Sequence, residues 1–179
     1  ETGESFEGVY GIIVEKILNL GEREQGVIYA VPGDPFIAET TGPEIVRRAH
    51  LSGLDVRIIN GLSFLEPVFS ALRLDPFPQL TLVDALELSQ QHVPSFPVDK
   101  PALVAQIYSR LVAAEVKTTL NSIYPDEHQV TLVHSAGTQA EIIEIVPLYE
   151  IDRSPHIGLL SILYIPPLDT GGCPVSRLP

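Results

Sequence analysis

Hydrophobic residues near the start of the chain recur at steps of three and four, which is the spacing of a helix with one buried face. The residues on this face are Phe6, Val9, Tyr10, Ile13, Ile17 and Leu20. A continuous apolar run from Val27 to Val31 follows, which is typical of a strand covered on both faces. We therefore expect a helix capped by Thr2 or Ser5, and then a buried strand.

The next segment repeats this alternation. Thr41-Gly42-Pro43-Glu44 combines the capping-box spacing with a proline near the first helical position, which predicts a helix from about Pro43 to Leu51. Residues Asp55 to Ile59 predict a second strand, and the capping-box spacing of Ser63 and Glu66 predicts a short helix towards Leu72. The order strand, helix, strand, helix predicts a parallel sheet in an N-terminal lobe, residues 1–75.

Two prolines within Leu74–Pro78 interrupt the pattern and indicate a lobe boundary. Beyond them, a C-terminal lobe over residues 76–168 is predicted to contain one helix, Ser109 to Ile123, and several strands. The predicted strands are Leu80 to Val83, Ala102 to Ile107, Gln129 to Val133, Ile142 to Tyr149 and Leu160 to Ile165. The expected class is α/β, with a parallel sheet in the first lobe, a mixed sheet in the second, and a tail or linker over residues 169–179.

Composition narrows the classes of function. The 179 residues are 45% hydrophobic and carry a net charge of −12, a field that repels nucleic acid and anionic membrane surfaces. The single cysteine, Cys173, excludes an internal disulfide and fits a reducing compartment, so the cytoplasm is the expected location. The histidines show no paired ligand spacing, so no metal site is expected. The chain begins at Glu1 and contains no methionine, which suggests a fragment.

The most informative segment for function follows the first predicted strand. In Pro32-Gly33-Asp34-Pro35-Phe36, the glycine permits close backbone approach, and the carboxylate accepts bonds from hydroxyl, ammonium or amide groups. Asp34-Pro35 fits a plain helix cap equally well. The loop around Gly61 and Ser63 repeats the arrangement after the next strand, and both loops should lie at one edge of a parallel sheet. Taken singly, each is more simply an ordinary turn, and a tight turn is also favoured for Ser135 to Thr138.

Several motifs together resemble the tetrapyrrole (corrin/porphyrin) methylase family. They are the stretches Tyr29 to Pro35, Asn60 to Phe64 and Gln106 to Leu111. Three others, Leu82 to Leu86, Tyr124 to His128 and Val146 to Glu150, resemble the methylase-like domain that precedes a MazG-type nucleotide pyrophosphohydrolase in fused bacterial proteins. The similarity runs from about Phe6 to Leu168.

The resemblance implies a two-lobed fold with S-adenosylmethionine in the cleft between the lobes, usually within a homodimer. Carried over by position, the cofactor contacts of the first lobe would be Pro32, Gly33, Asp34, Phe36, Gly61, Leu62 and Ser63. Those of the second lobe would be Gln106, Ile107, Tyr108, Ala136 and Gly137.

Three departures from the family pattern bear on function. Nothing before Ser5 matches the first strand and Gly-rich loop of the family, and Asn60 stands where a proline is usual. No acidic E-x-x-E helix is present, which disfavours pyrophosphohydrolase activity in this chain. The expected function is methyl transfer from S-adenosylmethionine to an unknown small-molecule acceptor. The alternative is a non-catalytic ligand-binding or regulatory module of a MazG-type fusion. No catalytic residue is assigned, although Asp84 and Tyr108 are candidates for a general base.

Overall fold

The computed structural model describes residues 6–169. The predicted caps at Thr2 and Ser5, and the predicted tail from residue 170 with Cys173, lie outside this range. The chain divides into two compact units, Glu1–Glu66 and Pro67–Pro179. The lobe boundary near residue 75 stays a prediction.

Two helices form the framework of the first unit, α1 (Phe6–Gly21) and α2 (Thr41–Leu51). Val14 of α1 packs inside together with Ile45 and Ala49 of α2, each at most 9% exposed. Both helices were expected, but the buried face of α1 was misplaced. Val9 and Tyr10 are exposed because the face that meets α2 is centred on Val14, which the spacing left out.

Helix α2 begins two residues earlier than the sequence pattern predicts. The Glu39 carboxylate accepts hydrogen bonds from the Thr41 hydroxyl and from the backbone N–H groups of Thr41 (2.9 Å) and Gly42 (3.4 Å). A carboxylate from before the helix therefore caps its first turn, in place of the predicted pairing of Thr41 with Glu44. Glu44 instead pairs with Arg47, and the Arg47 hydrogen bond lowers the pKa of the Glu44 carboxyl.

The two strands predicted in the first lobe, Val27 to Val31 and Asp55 to Ile59, are not strands in the structure. Neither segment takes part in a β-ladder, and within residues 6–66 the structure has no strand at all. An apolar run supplies the propensity for a strand, whereas a strand also needs a hydrogen-bonded neighbour. The predicted parallel sheet of this lobe is therefore absent from the described residues.

All five strands belong to the second unit, where they form one mixed sheet in the order β1-β2-β5-β3-β4. The strands are β1 (Thr81–Asp84), β2 (Ala102–Ala105), β3 (Gln129–His134), β4 (Ile142–Pro147) and β5 (Ser161–Ile165). Only β1 and β2 pair in parallel, and the other three pairings are antiparallel. The α/β class and the mixed sheet are confirmed.

Helices α4 (Ala85–Ser89) and α5 (Arg110–Leu120) and a 3₁₀ helix (Leu148–Arg153) pack with this sheet, while α3 (Leu65–Leu72) leads into the second unit. Their apolar side chains and the strands build one core that includes Val104, Val116, Leu132 and Leu163. The α5 helix begins where the Ser109 hydroxyl accepts a bond from the Val112 N–H, 3.2 Å away. No helix of residues 6–169 is long and apolar enough to cross a membrane.

The sequence pattern missed two short elements of this unit. It assigned no structure to α4, and it extended the β4 strand to Tyr149, where the chain has already turned into the 3₁₀ helix. Asp84 explains α4, because its carboxylate accepts the N–H groups of Leu86 (2.7 Å) and Glu87 (3.3 Å). The candidate base Asp84 is thus a helix cap.

Candidate functional site

The loop of residues 32–36 is built around a turn at Asp34. One carboxylate oxygen of Asp34 accepts the backbone N–H of Phe36 at 2.9 Å, and the Asp34 carbonyl accepts that of Ile37 at 3.3 Å. Gly33 adopts a φ of +85°, a conformation that side chains disfavour. The plain helix cap is not formed, since α2 starts only at Thr41. The second carboxylate oxygen has no hydrogen bond among the described residues.

Backbone contacts hold this loop against the loop of residues 60–63. A Cβ atom added to Gly61 would overlap the carbonyl oxygen of Gly33 and lie 2.8 Å from its carbonyl carbon. A Cβ atom on Gly33 would lie 3.4 Å from the Leu62 carbonyl oxygen. Only glycine at position 61 permits this approach. The structure therefore brings together Gly33, Asp34, Gly61 and Leu62, and we call residues 32–36 with 60–63 the loop pair.

A second close approach fixes the loop pair to α2. A Cβ atom on Gly42 would overlap the Pro35 carbonyl oxygen, so the 32–36 loop lies directly on the first turn of the helix. The Tyr29 hydroxyl is 2.8 Å from the buried Thr41 hydroxyl, which ties the segment before the loop to the same turn. Phe36 and Leu62 are left 42% and 82% exposed. The loop pair is thus a rigidly seated surface with an aromatic ring and a carboxylate.

Ser63 serves as the cap of α3. Its hydroxyl accepts the Leu65 N–H at 3.0 Å and donates to the Glu66 carboxylate at 2.6 Å. The Ser63 hydrogen bond lowers the pKa of the Glu66 carboxyl. The predicted cap is confirmed in a modified form, and the proton of Ser63 is already committed within the protein. A ligand contact of Ser63 stays a prediction.

In the second unit, the loop after β2 contains three predicted contact residues. Gln106 has a φ of +67°, and its carbonyl accepts the Tyr108 N–H at 2.9 Å. The Ile107 side chain is fully buried in the core, and its N–H donates to the Ser161 carbonyl at 3.3 Å. The Tyr108 side chain is 42% exposed, and Gln106 is half-buried. A ligand contact of Ile107 is therefore restricted to its backbone carbonyl.

The loop after β3 is a tight turn, as the sequence favoured. The Thr138 N–H donates to the Ser135 carbonyl at 3.1 Å, and both Ser135 (+52°) and Gly137 (+74°) have positive φ angles. The Gly137 N–H donates to the Glu141 carboxylate at 2.7 Å. A Cβ atom on Gly137 would lie 2.9 Å from the Pro67 side chain. Ligand contacts of Ala136 and Gly137 stay predictions, and the Gly137 N–H is already engaged.

The structure contains a polar network beside this turn that the sequence pattern did not predict. Buried His134, at the end of β3, contacts the Ser161 hydroxyl through Nδ1 (2.8 Å) and the Glu144 carboxylate through Nε2 (2.9 Å). Ser154 donates to the same carboxylate at 2.5 Å, and the Gly158 N–H donates to Ser161 at 2.8 Å. Satisfying every partner requires Nε2 to carry the histidine proton and Ser161 to donate to Nδ1. Ser161 is only 2% exposed, so its hydroxyl is not presented to a substrate, and the network links strands β3, β4 and β5.

Burial and hydrogen bonding fix the charges in the network. Burial lowers the pKa of the His134 imidazole, and the Glu144 carboxylate only partly opposes this effect. Burial alone would raise the pKa of the Glu144 carboxyl, but bonds from Ser154 and His134 outweigh it, so this pKa is lowered. A neutral imidazole beside a carboxylate is the expected state at neutral pH. The residues lie 10 to 27 positions from His134 in the sequence, so no local spacing indicates them.

Comparison with known proteins identifies a family and a relative that this chain resembles. A family model described as Tetrapyrrole (Corrin/Porphyrin) Methylases matches residues 2–152. The chain is 36% identical over 168 residues to the uncharacterized protein YabN of Bacillus subtilis (strain 168). That alignment covers 94% of this chain but 34% of YabN, so the chain spans about a third of that relative.

Solved structures show the same fold at low sequence identity. Uroporphyrin-III-C-methyltransferase from Thermus thermophilus is 16% identical with a TM-score of 0.65, covering 87% of this chain and 70% of that structure. A diphthine synthase is 18% identical with a TM-score of 0.66, covering 92% and 68% respectively. The chain belongs to the tetrapyrrole methylase family, whose members use S-adenosylmethionine as methyl donor.

Proposed function

We propose that this chain is an S-adenosylmethionine-dependent methyltransferase that binds its methyl donor at the loop pair and acts on a small-molecule acceptor. Membership of the family supports the reaction class. The observation that supports the position is the backbone contact between Gly33 and Gly61, which seats two loops of the first unit against each other. The acceptor is not assigned.

The loop pair has the chemical groups that such a donor needs. The second oxygen of the Asp34 carboxylate is free to accept a bond from a ribose hydroxyl or from the ammonium group. The exposed ring of Phe36 offers an apolar face to the adenine base, and Leu62 adds a further apolar side chain. The absence of side chains at Gly33 and Gly61 lets the two loops lie directly against each other. These residues therefore fit the cofactor.

When bound, the sulfonium cofactor would supply an activated methyl group: the methyl carbon would bond to the acceptor's nucleophile while its bond to sulfur breaks and leaves the electron pair on sulfur. The leaving group is thus activated in advance, and the protein's part is to orient the reactants and exclude water. Fixed loops suit that task, and the absence of an assigned nucleophile is consistent with it.

Donor contacts by residues of the second unit remain predictions of the sequence resemblance. Tyr108 offers an exposed hydroxyl and ring, Gln106 a polar side chain, and Ile107 its backbone alone. Ala136 and Gly137 belong to the tight turn closed by the bond from the Thr138 N–H to the Ser135 carbonyl. The homodimer and the cytoplasmic location remain predictions of the sequence resemblance.

Thermal unfolding with and without S-adenosylmethionine tests the proposal, and the chain provides its own control. Asp34-Pro35-Phe36 and Asp75-Pro76-Phe77 share one local hydrogen bond, in each case from the phenylalanine N–H to an aspartate oxygen 2.9 Å away. Asparagine at either position keeps the accepting oxygen and removes the charge. A ligand at about 100 times its Kd adds about 2.7 kcal/mol, a shift of about 5–10 °C in a chain of this size.

We expect this shift in the wild type and in Asp75→Asn, and its loss in Asp34→Asn. No shift in the wild type, or an equal shift in all three proteins, would contradict binding at the loop pair. A shift without methyl transfer to any acceptor screened would leave donor binding in place and favour the non-catalytic module.

A further inference from the structure

Two hydroxyl groups and a carboxylate form a chain of hydrogen bonds at the first turn of α2. The Tyr29 hydroxyl lies 2.8 Å from the Thr41 hydroxyl, which in turn contacts the Glu39 carboxylate. Thr41 is 3% exposed, Glu39 is half-buried and Tyr29 is 37% exposed. We call these three side chains the hydroxyl chain.

The direction of each bond in the hydroxyl chain follows from the groups present. A carboxylate only accepts hydrogen bonds, so the single proton of the Thr41 hydroxyl is donated to Glu39. The Thr41 oxygen is left as an acceptor, and the proton between it and Tyr29 therefore comes from Tyr29. Each bond polarises the next towards the charge of Glu39, which strengthens the chain. Tyr29 is thus a donor whose proton is already engaged within the protein.

The hydroxyl chain closes the segment that contains the first half of the loop pair. Tyr29 and Thr41 stand at the two ends of residues 30–40, which have neither helix nor strand. The turn bonds at Asp34 reach only the N–H groups of Phe36 and Ile37, so they do not join the two ends of the segment. The bond from Tyr29 to Thr41 does join them.

A steric contact places the 32–36 loop on the same turn of the helix. A Cβ atom on Gly42 would overlap the Pro35 carbonyl oxygen, and Gly42 follows Thr41 directly. The Gly42 N–H also donates to the Glu39 carboxylate at 3.4 Å. Loss of the Tyr29 hydroxyl would therefore leave the loop in contact with α2 but release the end that begins at residue 30.

We propose that Tyr29 is a positioning residue for the methyl donor. Its hydroxyl, acting through Thr41, holds the 32–36 loop in the arrangement in which Asp34 and Phe36 meet the donor. A loop that is closed before binding loses less conformational freedom when a ligand orders it, and so binds that ligand more tightly. This inference rests on the proposed donor site, and it assigns the role to a residue that does not itself touch the donor.

Isothermal titration calorimetry of the whole 179-residue chain with S-adenosylmethionine, at a temperature well below Tm, tests the role of Tyr29. Tyr29→Phe keeps the ring and removes the hydroxyl, and Thr41→Val removes the middle hydroxyl at nearly constant shape. We expect each variant to raise Kd about tenfold, the effect of losing one hydrogen bond. The double variant should bind no more weakly than Thr41→Val alone, because both changes break the same chain.

Two controls separate positioning from a general loss of stability. Thr41→Ser retains the hydroxyl and should restore the affinity of the wild type. Tyr149→Phe removes a partly exposed hydroxyl of the second unit that is hydrogen-bonded to Glu150, and it should leave Kd unchanged.

Hydrogen exchange without any ligand gives a second measurement. The amides of Phe36 and Ile37, which form the turn bonds of the loop, should exchange roughly tenfold faster in Tyr29→Phe than in the wild type. In Tyr149→Phe their exchange should be unchanged. This measurement reports on the loop itself and not on the donor.

The role of Tyr29 is overturned if Tyr29→Phe and Thr41→Val bind the donor as tightly as the wild type does, even with a lower Tm, because the hydroxyl chain would then be structural only. Weaker binding without faster exchange of the two amides also overturns it, since Tyr29 would then contact the donor directly. In both cases the wild type binds, so the proposed donor site stands. Absence of binding by the wild type overturns the donor site and the role of Tyr29 together. The two substitutions are independent, so one that fails to fold leaves the other as the test.

Discussion

Replacing Gly61 by alanine tests the contact on which the loop pair depends. The added methyl group would overlap the Gly33 carbonyl oxygen and lie 2.8 Å from its carbonyl carbon and 3.4 Å from the Asp34 nitrogen. All three neighbours are backbone atoms, so no side-chain rotation relieves the clash. One of the two loops must move.

The expected cost of Gly61→Ala is that of overpacking, about 1–3 kcal/mol. Alanine recovers about 0.4–1 kcal/mol by restricting the unfolded chain, which leaves a net loss of up to about 2.5 kcal/mol. In a chain of this length, each kcal/mol lowers Tm by roughly 2–4 °C. Displacement of the Gly33 carbonyl should also weaken binding of S-adenosylmethionine.

Unfolding of the wild type and of two variants, followed by circular dichroism, measures the effect. Gly11→Ala is the matched control, because Gly11 lies in α1 with no atom within 4 Å of an added Cβ. Alanine in a helix is favoured over glycine by about 0.5–1 kcal/mol, so this control should be slightly more stable than the wild type. If Gly61→Ala has the same Tm and the same affinity for S-adenosylmethionine as the wild type, the contact between the two loops does not hold them in place.

Three further predictions concern the second unit. Ser161→Ala should destabilise the chain by about 1–3 kcal/mol in urea unfolding, because the Gly158 N–H and His134 Nδ1 lose their buried partner; a loss below about 0.5 kcal/mol would argue against the network. Because burial lowers the pKa of His134, the unfolded chain binds more protons than the folded chain just below about pH 6.5. Stability should therefore fall as the pH drops from about 7.5 to 5.5, and His134→Gln should flatten this slope in urea midpoints; an unchanged slope contradicts the assignment. Burial, followed by the charge of Asp99, raises the pKa of Tyr124 to about 12, so stability should fall between about pH 10 and 12. In Tyr124→Phe that alkaline loss should become smaller, the remainder coming from Tyr149 and Tyr164, whose pKa values are also raised. The stability at neutral pH should be equal or higher, since the buried hydroxyl has no partner among the described residues; a clear loss of stability would reveal a missed hydrogen bond.

The local sequence pattern predicted the strands of the second unit well because each of these strands has a hydrogen-bonded neighbour within the same unit. Leu160 to Ile165 was expected as a strand and forms β5, paired on one side with β2 and on the other with β3. Val27 to Val31 has an equally apolar pattern but no ladder, because pairing depends on a neighbour that no property of the run itself supplies. The difference between the two segments lies in what surrounds them.

In the candidate site, too, local spacing predicted some features, while others depend on contacts between distant segments. Loops at Gly33 and Gly61 were expected to be adjacent, and the structure brings their backbones into contact. The cap formed by Ser63 was also visible in the spacing of Ser63 and Glu66. The bond between His134 and Ser161 joins residues 27 positions apart across β3 and β5, and only the register of the sheet reveals it.

Hydrogen exchange with and without S-adenosylmethionine tests the central claim most directly, because it locates the bound donor along the chain. Amides of residues 33–36 and 60–63 should exchange more slowly with the donor, and those of residues 75–77, which share the aspartate-to-phenylalanine bond, should be unchanged. Protection of the loop pair that disappears in Asp34→Asn is the result predicted here. Protection confined to residues 27–31 and 55–59, or none anywhere in the first unit, would contradict the assignment of the loop pair as the donor site.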